Sequence, residues 1–140
     1  MRGNIRNPIV AILALLGTLL SGSPVLAEDY SVDYGVESDA GRDAGTLTCR
    51  FDQICSAKME SLGLNVSFYL SRHDPDRVSV HLYSYNVIGC CFFAGAADAI
   101  RIEPHQALSR VSFYKGVRAR GALLIENERV GTLYLRFHSR

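Results

Sequence analysis

No stretch of this 140-residue sequence stays apolar for the roughly 20 residues that a permanent membrane-spanning helix needs. With 12 glycines and 4 prolines it also lacks the composition of a collagen-like or low-complexity chain. Neither sign of charge dominates: 15 Lys and Arg stand against 14 Asp and Glu, a net charge of +1. That balance argues against a nucleic-acid binder, which would carry a basic excess. The 48% hydrophobic content against 21% charged residues excludes wholesale disorder and suits one globular domain. Catalytic signatures are missing as well. The chain has no Gly-x-Ser-x-Gly elbow, no His-Glu-x-x-His, no phosphate loop, no dinucleotide fingerprint and no internal repeat.

Residues 1–27 read as a secretory signal peptide. Arg2 and Arg6 supply a positive start, Ile9 to Leu20 an apolar run broken only by Gly17 and Thr18, and Val25 and Ala27 the small residues of a cut before Glu28. No cysteine near that cut could carry a lipid, so cleavage leaves a chain with no stable membrane insertion. The expected compartment is periplasmic or extracellular.

Removing Arg2 and Arg6 from the count leaves 13 basic residues against 14 acidic ones, and these are unevenly placed. Residues 28–60 carry eight acids and three bases, Arg42, Arg50 and Lys58, whereas residues 61–140 carry six acids and ten bases. Glu28 to Gly45 holds Glu28, Asp29, Asp33, Glu37, Asp39 and Asp43 against one Arg42. Its apolar residues are sparse, and residues 28–45 are expected to form a flexible acidic arm ahead of a single β domain over 46–140.

From Thr46 onward the hydrophobic period is two. Leu64, Val66, Phe68 and Leu70 alternate with polar residues, as do Val78, Val80 and Leu82, then Ile100 and Ile102, Val111 and Phe113, and Leu133, Leu135 and Phe137. Thr46–Phe51 and Ala122–Glu126 add two further strands, and Val87–Phe93 reads as a central strand covered on both faces. Turn chemistry falls at His73-Asp74-Pro75-Asp76, and Glu126-Asn127-Glu128-Arg129 should close the last hairpin. A weak apolar face leaves a short helix possible over Gln53–Leu62. The expected fold is all-β: a small antiparallel β-sandwich or barrel of about 7–8 short strands, stapled by disulfides.

Cys49, Cys55, Cys90 and Cys91 are an even set in an exported chain, which favours disulfides. Adjacent residues on an extended strand point to opposite faces, so a Cys90–Cys91 bridge is the least expected pairing. Two long-range bridges from Cys49 and Cys55 to Cys90 and Cys91 are preferred, each worth on the order of 3 to 4 kcal/mol in the chain-entropy model. A zinc site would need separated pairs of ligands, and these spacings do not provide them. No metal or other cofactor is expected.

His73, His81, His105 and His138 are scattered without ligand spacing, and the proline between Asp74 and Asp76 assigns those carboxylates to a turn. Asn65-Val66-Ser67 matches a glycosylation acceptor but lies inside a strand. The alternation leaves Tyr69, His81, Tyr83, Tyr114, Tyr134, Arg136 and His138 on outward faces, joined by Arg110, Lys115, Arg118 and Arg120. Tyrosine and arginine combine contact area with hydrogen bonding. Tyr83, Tyr114, Arg118, Arg120, Tyr134 and Arg136 are therefore the candidate binding residues of a non-catalytic accessory protein. Its partner would be a protein or an envelope polymer rather than nucleic acid. Two other readings remain: a thiol–disulfide redox protein using Cys90 and Cys91, and an inhibitor presenting a Lys115–Arg120 loop to an exported enzyme.

Overall fold

The computed structural model describes residues 29–87, 89–119 and 122–139. The expected signal peptide, Arg120 and the turn between the last two strands lie outside the described residues.

The fold is a two-sheet antiparallel sandwich with nine strands among the described residues. In chain order these are β1 (Asp29–Ser38), β2 (Gly41–Arg50), β3 (Ile54–Met59), β4 (Leu64–Ser71), β5 (Asp74–Ser84), β6 (Cys90–Phe92), β7 (Ala99–Ile102), β8 (Ser109–Ala119) and β9 (Ala122–Ser139). One sheet has the order β2-β1-β9-β8-β6 and the other β3-β4-β5-β7. Alternation dictates which side chains meet between them. Val32, Phe113, Leu133 and Leu135 from the first sheet face Val66, Phe68, Val78 and Val80 from the second, and all eight are fully buried. Phe68 and Phe137 meet edge to face with ring centres 6.1 Å apart.

The acidic segment is not an arm. Residues 29–38 and 41–50 form a hairpin, and β1 lies inside the first sheet, paired with β2 on one side and β9 on the other. The folded unit therefore starts by Asp29. Tyr30, Val32, Tyr34 and Val36 follow the same period of two as the other strands; Tyr30, Val32 and Val36 are buried. Asp33 and Glu37 occupy alternate, outward positions of β1, where cross-strand partners answer them. Asp33 accepts the Thr46 hydroxyl at 2.7 Å, and Glu37 forms an ion pair with Arg42.

Three other expectations change. Gln53–Leu62 is no helix: β3 occupies 54–59 and a single 3-10 turn covers 60–62, ended by Gly63 in the left-handed region (φ 63°). Of the expected Val87–Phe93 strand, the described residues supply only the three-residue β6 at a sheet edge, because Gly89 in the left-handed region (φ 78°) breaks the extended run just before it. Glu126–Arg129 is not a turn, since β9 runs unbroken from Ala122 to Ser139 and absorbs two expected strands into one.

The disulfides join Cys49 to Cys55 and Cys90 to Cys91. The preferred long-range pairing is overturned by sheet order. Cys49 lies on edge strand β2 and Cys90 and Cys91 on β6, the opposite edge of the same sheet. Four strand spacings of ~4.8 Å put the two edges roughly 19 Å apart, far beyond the Cα separation a disulfide can span. Cys49 and Cys55, in contrast, sit where the chain crosses from one sheet to the other, with Cα atoms 5.6 Å apart. That bond staples the two layers.

Candidate functional site

One end of the sandwich is open, and strand lengths explain why. β9 outlasts its neighbour: Ser109, the first residue of β8, pairs with Leu135, so residues 136–138 of β9 have no β8 partner. The segment 104–107 passes beside them instead and is tied down when Arg136 Nε donates to the Ala107 carbonyl at 3.0 Å. Opposite, the β4–β5 hairpin is pinned to the turn after β2. Asp52 accepts the Ser71 hydroxyl at 3.0 Å and the Arg72 amide at 3.1 Å, while its own amide donates to the Leu70 carbonyl at 2.9 Å.

Between these walls lies a cleft of about 620 Å³, within the usual range for small-molecule sites. Phe51, Leu70, Pro75, Pro104 and Phe137 make its walls apolar, and His105, Arg136 and His138 supply nitrogen groups. His105 Nε2 is 3.2 Å from Asp76, and His138 Nε2 is 2.8 Å from Asp33. The hydrogen bond from His138, then that from Thr46, holds the Asp33 carboxyl below the usual range. Among the described residues, Arg136 has no carboxylate within ion-pair distance.

Tyr30 forms part of the cleft wall and is only 2% exposed. Its hydroxyl has no hydrogen-bond partner among the described residues, and burial pushes its pKa up to about 12. An unpaired buried hydroxyl costs about 1–3 kcal/mol.

The six candidate binding residues do not share one face. Tyr83, half exposed, lies with His81 and Tyr69 on the outer surface of the β3-β4-β5-β7 sheet. Tyr114 and Tyr134 belong to the outer surface of the other sheet, on the opposite side of the sandwich. There Tyr134 donates to Glu37 at 3.4 Å, and the Arg110 guanidinium lies 5.7 Å from the Tyr134 ring centre. Glu37, Asp39, Arg110, Arg129 and Tyr134 line a polar recess of about 420 Å³ beside them. Arg136, two residues further along β9, is the member of the six that lines the end cleft. Arg118 lies on β8, and Arg120 falls outside the described residues. The expected Lys115–Arg120 loop is instead β8, which is strand as far as Ala119.

Sequence reasoning missed Tyr30, Phe51, Leu70 and the 104–107 segment as cleft residues. Of these, Tyr30 and Leu70 carried a usable signal, the alternation of Tyr30, Val32, Tyr34 and Val36 and of Leu64, Val66, Phe68 and Leu70, which marks a buried face but not a cleft. The rest are brought together by strand ends that no local pattern connects.

Cys90 and Cys91 border a separate recess of about 300 Å³ with His81, Tyr83 and Asp98. Among the described residues, no group of three or more His, Cys, Asp or Glu converges as a metal site would require. No helix there is long and apolar enough to cross a membrane. The disulfides fit an oxidising, extracellular-type compartment. Compared with known protein families, curated proteins and solved structures, the chain finds no match in any of the three.

Proposed function

We propose that this is an exported, non-catalytic binding protein of the periplasm or extracellular space that holds its ligand in the cleft at the Tyr30–Phe137 end of the sandwich. The observation that carries this reading is the cleft itself. It combines about 620 Å³ of space, apolar walls from five residues, and Arg136 with no ion-pair partner among the described residues. Export by residues 1–27 belongs to the same reading, because disulfides need an oxidising compartment to form.

A neutral hydrophobic dye such as Nile red tests the cleft. One dye per chain is expected to bind, with binding lost in Ala107→Trp, which fills the mouth, and retained in Tyr83→Ala on the far sheet. Binding unchanged in Ala107→Trp would place the ligand elsewhere.

A second reading, a small thiol–disulfide protein, is favoured by one observation: Cys90 and Cys91 are bonded to each other beside a recess, with Cys90 half-buried. A partner dithiol would lose two electrons and two protons to become a disulfide, and the two cysteines would gain them as thiols. Reduction by a small dithiol should then open Cys90–Cys91 at least tenfold faster than Cys49–Cys55, read by mass spectrometry after alkylation. Equal rates for the two bonds would end this reading.

A further inference from the structure

We infer that the ligand of the end cleft is an amphipathic organic acid, an alkyl or single aromatic body carrying one carboxylate. This rests on the reading of the cleft as the binding site and goes further by naming the chemical class. The apolar half follows from the walls. Phe51, Leu70 and Phe137 come from both sheets, Pro75 and Pro104 close the sides, and none of them offers a side-chain hydrogen bond. A straight alkyl chain or a single aromatic body satisfies such surfaces, whereas a sugar would leave its hydroxyls unpaired there.

The charge follows from the remaining lining residues. His105, Arg136 and His138 present nitrogen, Gln106 and Tyr30 add neutral polar groups, and no Asp or Glu lines the cleft. Asp33 is the cross-strand partner of Arg136 and feels its charge, but its two oxygens are taken by Thr46 and His138, and Asp76 is taken by His105. Arg136 differs from the two histidines. Its Nε donates to the Ala107 carbonyl, which fixes the plane of the guanidinium at the mouth, and the terminal nitrogens face no carboxylate within ion-pair distance among the described residues. A guanidinium held by Nε with its terminal nitrogens unpaired is arranged to take a carboxylate.

The test is calorimetric titration of the full-length exported chain with decanoate, decanol and decylamine, each below its aggregation concentration and at low salt. Decanoate is expected to bind at least tenfold more tightly than decanol, and decylamine more weakly than either. Arg136→Gln should bring decanoate down to the affinity that the same variant shows for decanol, and Arg136→Lys should restore part of the preference. If all three ligands bind alike, or if Arg136→Gln leaves decanoate unchanged, the acid class is wrong although the cleft still binds. If none of the three binds the unmodified chain, the cleft reading falls together with the inference.

Discussion

Gly131 of β9 lies directly beneath the Phe113 ring of β8, its cross-strand partner: a Cβ there would come within 2.7 Å of the ring and would overlap the Glu37 carbonyl oxygen of β1. The aromatic ring fills the space the missing side chain leaves, and three neighbouring strands close up around one residue. Gly131→Ala is therefore expected to destabilise the protein by about 3 kcal/mol, at the upper end of overpacking costs. The denaturant midpoint measures it, and a loss under about 0.5 kcal/mol would show that the strands separate easily.

The Cys49–Cys55 bond closes a loop of only six residues in sequence separation, so the chain-entropy model gives about 2 kcal/mol rather than the larger value of a long loop. Replacing both cysteines with alanine should lower Tm by roughly 10 °C for a domain of this size. Cys90 and Cys91 are sequence neighbours and enclose no chain loop. The Cys90→Ala/Cys91→Ala variant should thus lose less stability than the first pair, which paired thermal melts compare directly.

Asp33 is held ionised by His138 and Thr46, so its folded-state pKa lies below its unfolded value. A group shifted this way stabilises the fold fully above the ordinary aspartate pKa of about 3.9 and loses that contribution as pH falls through the lowered value. Asp33→Asn should melt below the unmodified protein at pH 7 and at about pH 5. The difference should shrink steadily toward about pH 2. A gap that stays constant across this range would mean the carboxylate charge plays no part.

The Tyr30 hydroxyl is buried without a partner among the described residues. Tyr30→Phe removes that oxygen and keeps the ring against Phe51, whose centre is 5.4 Å away. Stability of the unliganded protein should be unchanged or raised by about 1 kcal/mol, since an unsatisfied polar group is deleted rather than a hydrogen bond broken. A clear loss in urea denaturation would reveal a partner that the hydroxyl uses in solution.

Much of the fold was readable because alternation is local. Leu64 to Leu70 and Val78 to Leu82 marked their strands, their buried faces and the all-β class before any partner was known. The acidic hairpin was misread because Asp29, Asp33 and Glu37 made residues 28–45 look solvated, although Tyr30, Val32, Tyr34 and Val36 kept the period. High charge says nothing against a strand whose charges all point outward. The site was scarcely readable at all. Tyr83 and Tyr134 have similar surroundings in sequence, yet they stand on opposite sides of the sandwich because their strands belong to different sheets.

The sequence by itself determined the strand faces, the core residues and the disulfide-permissive character of the chain, because each depends on a residue and its near neighbours. Tertiary structure decided which cysteines bond, which tyrosines share a surface, and that Arg136 and Tyr30 border one cleft. Those outcomes depend on strand order and on where strands end. With β2 and β6 at opposite edges, Cys49 can reach Cys55 and not Cys90; with β9 outlasting β8, the sandwich stays open at one end.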